Sequence, residues 1–342
     1  MSAQVATGST TLVYVKTIGI ANNSNNGRGF ANPVSLAVSS DDRIFVLNRS
    51  DPTLAHAIRV GICTLEEEHI GEFGDGSGEG DTQFRLPTGI AFDSQDRLYV
   101  TDEYLNRVTV FDSSGHFLGK WGQSGRRDGQ FNGPAGIAFN SADNAFVVDQ
   151  HNNRVQKFNR DGEYLLQWGH GGSNAGELDL PWGVTVDSED NVYVADWRND
   201  RVQKFTSDGR FLAAFGEPGD GDGQFHRPSD VAVDSEGIIY VADWGNERVQ
   251  VLAPDGAFQT KERGRATLSK WAEEFYASNP DESTTRDVSN LFPTLPDHST
   301  PYQVSSQTEA YFWGPTSVTL DKEGRLYVTE SNRHRVQVFQ RR

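Results

Sequence analysis

The sequence predicts an all-β chain: a six-bladed β-propeller of four-stranded antiparallel blades. Three observations carry this. Pro87, Pro134, Pro181 and Pro228 recur at a period of 47 residues. Each opens the same string: a short apolar strand, a polar turn, a second strand ending in Val-x-Asp or a close variant, an Arg-Val pair, and a glycine turn before a last strand. Two less regular copies, opened by Pro33 and Pro315, bring the count to six. A fixed period of this size means one supersecondary unit copied in tandem, and four-stranded units arranged around an axis form a propeller.

The elements follow in chain order. Leu12–Gly19 alternates like a fourth strand that lacks its first three, and it runs into Gly29-Phe30-x-x-Pro33 as fourth strands do elsewhere. The sixth copy stops at Arg342 just after its third strand, Arg335–Phe339. The N-terminal strand is therefore expected to complete the last blade and shut the ring, leaving only short outer edges. The second copy shows the unit most plainly. Gly89–Asp93 and Arg97–Thr101 are strands around the turn Ser94–Asp96, and Asn106–Phe111 and Phe117–Gly122 flank the turn Asp112–Gly115. Residues 1–342 are read as a single propeller domain.

Two interruptions break the period. The first copy carries six extra residues between Asn48 and Arg59, in a loop holding Asp51 and His56. The fifth is followed by forty extra, giving an insertion at about 264–311. Leu268, Trp271, Ala272, Phe275 and Tyr276 fall on one helical stripe, and Asn279-Pro280 is expected to stop that helix. The remainder, 281–308, reads as polar loop. The insertion is expected to act as a lid over the axial mouth or as a brace.

The chain carries a net charge of −17, which disfavours nucleic acid as a partner through the general surface. The single cysteine, Cys63, excludes an internal disulfide. No apolar run is long enough for a membrane helix and no secretory signal is visible, so a cytoplasmic location without membrane contact is expected. Oligomeric state cannot be read from the chain.

Val-Asp-Ser-Glu-Asp-Asn-Val-Tyr-Val-Ala-Asp (186–196) and Asn-Asp-Arg-Val-Gln-Lys-Phe (199–205) resemble NHL repeats, as do Val-Ala-Val-Asp (231–234), Tyr-Val-Ala-Asp (240–243), Glu-Arg-Val-Gln-Val (247–251) and the lead-in Gly-Asp-Gly-Gln-Phe-x-x-Pro (221–228). The resemblance covers nearly the whole chain outside about 264–311. It implies the six-bladed fold. It implies no single activity, because such propellers include RNA- and protein-binding modules of tripartite-motif proteins and a zinc-dependent amidating lyase, with calcium lactonases and phosphotriesterases among related families. The lyase pattern implies histidines directly after the blade-opening prolines, where this chain has Val34, Thr88, Ala135, Trp182, Ser229 and Thr316. The calcium pattern implies several inward acids, yet two positions past proline only Asp230 is charged. No cofactor is therefore expected, since neither zinc nor calcium has a ligand set.

Residues repeated in every copy are expected to hold the unit together. That covers Asp102, Asp149, Asp196 and Asp243, with Arg107, Arg154, Arg201, Arg248 and Arg335 pairing to those acids or to nearby carbonyls. Residues that break the repeat on the upper face, where the first strands begin, are the candidate site: Tyr104, Trp182, Trp197, His226, Arg227, Asp230, Trp244 and Trp313. Aromatics interspersed with Arg and His suit a binding mouth for a peptide, protein or small ligand. The alternative is a small-molecule lyase or hydrolase at the same mouth, under the insertion, with His151 as general base and Arg198 as anion partner.

Overall fold

The computed structural model describes residues 10–21, 27–50 and 52–342; Asp51 lies outside them. Six four-stranded antiparallel sheets form the ring. Blade 1 is Pro33–Val38, Ile44–Asn48, Arg59–Cys63 and His69–Phe73. Blade 2 is Pro87–Phe92, Leu98–Asp102, Arg107–Phe111 and Phe117–Trp121. Blades 3 and 4 begin at Pro134 and Val184, and blade 5 runs from Pro228 to Glu262. Blade 6 takes Pro315–Leu320, Arg325–Glu330 and Arg335–Arg341, then Leu12–Ile18 as its outer strand. The expected closure is thus present, with Leu12 opposite Arg341 and Ile18 opposite Val336.

Burial follows position in the blade. Second strands are buried along their whole length because each is covered by neighbouring blades on both faces, so they read as continuous apolar runs. Outer strands such as Phe117–Trp121 alternate between half-buried and exposed residues, as a strand with one wet face must. The core is six apolar clusters, one at each blade junction.

Each of five junctions also carries a polar clasp. The residue just before the third strand is left-handed at Asn106, Asn153, Asp200, Glu247 and His334. Its side chain accepts the N–H of the next blade's lead-in: Gly133 at 2.9 Å, Leu180 at 2.8 Å, Arg227 at 2.6 Å, Gly314 at 2.6 Å and Asn32 at 2.9 Å. At the ring closure the acceptor is the neutral Nδ1 of His334, and burial holds this imidazole below its ordinary pKa. Protonation would turn the acceptor into a donor. The unfolded chain takes up the proton first as pH falls, so the clasp's contribution is whole above about pH 6.5 and is lost through the lower folded value. His334→Asn keeps an acceptor that two other clasps already use. In thermal melts from pH 8 to 5, wild type is expected to lose stability relative to this variant below about pH 6.5; parallel curves would refute the account.

The insertion departs from the sequence reading in one respect. The helix expected from the apolar stripe is α1, Lys270–Ser278, and Asn279-Pro280 ends it as expected, but the remainder read as polar loop holds two further helices. Asn279 caps α1 and Pro280 opens a second helix, α2, Pro280–Asp287, its fixed φ suiting the first helical position. A third, α3, Pro301–Gln307, starts at Thr300 in a capping box with Gln303. Polar composition concealed both, because neither is held by an apolar stripe.

The insertion wedges the closing junction. In blades 1 to 4 the outer strand ends in Phe73, Trp121, Trp168 or Phe215, and each ring lies against a left-handed glycine of the next blade: Gly115, Gly162, Gly209 and Gly256. At the closure the outer strand offers only Ile18, paired to Val336, and the glycine's place is taken by Glu67 at φ 62°. Trp271 of α1 fills the slot. It is 3% exposed and packs with Ile18, Phe30, Cys63 and Tyr327. Its indole donates to the Glu67 carbonyl, while the Glu67 carboxylate accepts the Lys270 and Trp271 N–H groups at 3.0 and 3.3 Å. An acid at a helix N-terminus satisfies otherwise orphaned donors. Ser269 joins them, accepting the Ala272 N–H and donating to the Gly19 carbonyl at 2.7 Å.

Candidate functional site

The repeated acids and arginines are spent on scaffold. Asp149 Oδ2 accepts from Arg154 Nε at 2.7 Å and from Asn152 at 2.8 Å, and its Oδ1 takes the Asn132 N–H. The Arg154 guanidinium reaches on to the carbonyls of Arg126, Arg127 and Gln130. Asp196 with Arg201, Asp243 with Arg248, and Glu330 with Arg335 repeat this arrangement. Asp102 instead takes the Arg85 and Leu86 N–H groups, and Arg107 bonds the carbonyls of Glu79, Gly80 and Gln83. Each acid therefore ties a second strand to the loop leading into its own blade.

An axial channel of about 360 Å³ runs between the first strands. Of the candidate residues, only Trp182 and Asp230 line it, and no insertion residue does. Burial pushes the Asp230 carboxyl up to about 7. Its oxygens accept the Val231 and Val318 N–H groups at 2.9 and 3.1 Å, so it stitches blade 5 to blade 6. Around the opening stands a ring of residues that directly follow the second strands: Arg49, Glu103, Gln150, Trp197, Trp244 and Ser331. Two neighbouring pairs in this ring touch. Arg49 and Glu103 pair at 2.7 Å, and the rings of Trp197 and Trp244 lie 6.5 Å apart.

The remaining candidates sort around this ring. On blades 4 and 5, Arg227 stacks over Trp197 with its guanidinium carbon 4.7 Å from the ring centre, and Arg198 and His226 are exposed beside it. The His226 ring lies against Gly245, where any Cβ would meet it, which explains glycine there alone among the blades' corresponding loop positions. Tyr104 stands apart on blade 2 under Arg85, at 4.7 Å. His151 is on blade 3, its Nε2 3.7 Å from Glu103. Trp313 lies beneath the insertion, against Tyr302 of α3 at 5.7 Å and Arg333 at 5.3 Å. The structure thus joins Trp197, Trp244, Arg198, His226 and Arg227 and leaves Tyr104, His151 and Trp313 on other blades.

Sequence reasoning missed Arg49, Gln150 and Glu103 as ring members. Their signal was present: the column varies freely directly after a strand-end position that is Asn, Asp or Glu in every blade. Among the described residues no group of three or more acids, histidines or cysteines could hold a metal ion. Burial pushes the Cys63 thiol up to about 12, so it is a packing residue rather than a nucleophile. No described helix is long and apolar enough to cross a membrane.

A family model for the NHL repeat matches residues 84–111, 131–158, 178–205, 225–252 and 312–339, which fall on blades 2 to 6. A search of curated proteins found no match. Among solved structures, a Bacteroides thetaiotaomicron protein of unknown function is similar with a TM-score of 0.63 and 17% identity, over 97% of this chain and 76% of that one. A virginiamycin B lyase from Staphylococcus aureus is similar with a TM-score of 0.56 and 11% identity, over 97% and 99%. A streptogramin B lyase structure gives 0.55 and 11%, over 97% and 98%. At these identities the likeness is one of fold. Five matched repeats, the sixth blade completed by the N-terminal strand, and the ring of six sheets together place the chain in the NHL-repeat family as a six-bladed β-propeller.

Proposed function

We propose that the protein is a binding propeller that captures a peptide segment of a partner on its upper face, across blades 4 and 5. The observation that carries this is the Trp197–Trp244 pair with Arg227 stacked on it, at the one place where the variable ring is aromatic on two successive blades. Half-buried tryptophans beside arginine are the residue types that dominate binding energy at interfaces. The scaffold beneath is rigid, since the acid–arginine networks lock each loop, so little ordering cost opposes binding.

A second reading keeps the same face but makes it a small-molecule lyase or hydrolase. Its support is the line Arg49–Glu103–His151, in which a carboxylate held by arginine faces an exposed imidazole. The likeness to antibiotic lyases agrees with that reading only at the level of fold. His151 and Arg198, the residues named for that chemistry, sit on different blades, 3 and 4.

Peptides selected on the wild-type protein from a displayed random library provide the test. The selected peptides are expected to bind Trp197→Ala/Trp244→Ala at least tenfold more weakly and His151→Ala equally well. Unchanged affinity for the tryptophan double variant would sink the binding reading. Loss confined to His151→Ala would move the site to blades 2 and 3.

A further inference from the structure

Resting on that reading, we infer that the ligand of the blade 4–5 shelf is an acidic peptide, read through its carboxylates by Arg198 and Arg227. The first observation is a mismatch of charge. The chain holds 48 acids against 31 lysines and arginines, so a cation on this protein has a surplus of partners. Most of its cations use them: Lys16, Arg43, Arg97, Lys120, Lys204, Lys261, Lys322 and Arg325 are all ion-paired. Arg198 and Arg227 are exposed, and neither forms an ion pair among the described residues. Two acids contact their backbone N–H groups. Asp200 Oδ1 accepts the Arg227 backbone N–H, and Asp179 meets Arg198 through its carbonyl.

The second observation is what stands beside them. Arg227 holds its guanidinium carbon 4.7 Å over the centre of the Trp197 ring, a cation–π contact that uses the cation's face and leaves N–H groups for a planar acceptor. Bidentate recognition of carboxylate is the geometry such a fork favours. A peptide brings backbone N–H donors together with side-chain carboxylates. A phosphate backbone brings acceptors only, and the net charge of −17 repels a polyanion far more than one or two carboxylates.

The test uses the full chain and two fluorescein-labelled peptides, Gly-Glu-Glu-Phe-Glu-Glu-Gly and its glutamine counterpart, followed by anisotropy at 20 and 150 mM NaCl. The glutamate peptide is expected to bind at least tenfold more tightly than the glutamine peptide, with the difference shrinking at higher salt. Arg198→Glu/Arg227→Glu should abolish that preference, while Lys120→Glu on blade 2's outer strand should leave it intact. Equal binding of the two peptides overturns the inference, as does tighter binding of a single-stranded oligouridylate than of the glutamate peptide. The library selection separates the two levels of argument. If selected peptides depend on Trp197 and Trp244 but show no enrichment in Asp or Glu, the carboxylate inference fails and the binding shelf stands.

Discussion

Gly136→Ala is expected to destabilise the ring by about 3 kcal/mol or more, the upper end of overpacking costs. Three inner strands pass one another at Gly89, Gly136 and Gly183, two residues after each blade's opening proline position. A Cβ on Gly136 would lie 2.7 Å from the Trp182 carbonyl oxygen, 2.9 Å from the Val184 nitrogen and 3.1 Å from the Gly183 Cα. On Gly183 it would lie 2.6 Å from the Asp230 Cα and 2.8 Å from the Ser229 carbonyl oxygen. These neighbours are backbone, so no rotamer change relieves the clash. The Gly136 N–H also donates to the Trp182 carbonyl at 2.9 Å, and pushing the strands apart would break that bond. Gly119→Ala is the control. It sits in an outer strand with nothing within 4 Å of the added carbon, and it is expected to be neutral or slightly stabilising. Urea unfolding of the three proteins checks this, and a Gly136→Ala midpoint equal to wild type would refute it.

Trp271→Ala carries the other large effect, a loss of about 3–5 kcal/mol, typical of a buried tryptophan truncated in a core. The reasoning differs from the glycine case because the residue lies outside the repeats. It supplies the aromatic that the closing junction lacks, and removing it leaves a void between Ile18, Phe30 and Tyr327 and strips the Glu67 carbonyl of its indole donor. Phe275→Ala on the same helix is expected to cost less than about 1 kcal/mol, since Phe275 is 42% exposed. Equal losses in the two variants would show that the helix, not the wedge, matters. Deleting 265–311 should likewise destabilise the ring. A stable truncated protein with altered ligand binding would restore the reading of the insertion as a lid.

Much of this was legible in the chain. The period located every blade, and the abrupt end after Arg335–Phe339 told where the N-terminal strand belongs. Subtraction also worked: the repeated Asp and Arg are bonded to strands and lead-in loops, as the repetition implied. Other features were not legible, for physical reasons. Trp271 reads on its stripe as an ordinary amphipathic position, and nothing local says that its pocket is made by residues of distant strands, Ile18, Phe30, Cys63 and Tyr327. The clasps escaped because their acceptors differ chemically, as Asn, Asp, Glu and His, and share only a left-handed backbone. The shelf was half visible. Trp197 and Trp244 were identified as departures, but their closeness depends on the pitch of the ring, which no spacing in sequence expresses.

The closing strand has a consequence in time. Leu12–Ile18 is made first, yet its partner Arg335–Arg341 is made last. At about 5–20 residues per second, synthesis leaves the strand waiting roughly 15–65 s before its partner exists. For that interval five blades can assemble around an axis while one alternating strand stays a bare template for any passing edge. Its mixed face, with Lys16 between Val15 and Thr17, slows such mispairing. The last pairing the ring can make is therefore set by where its first strand is written.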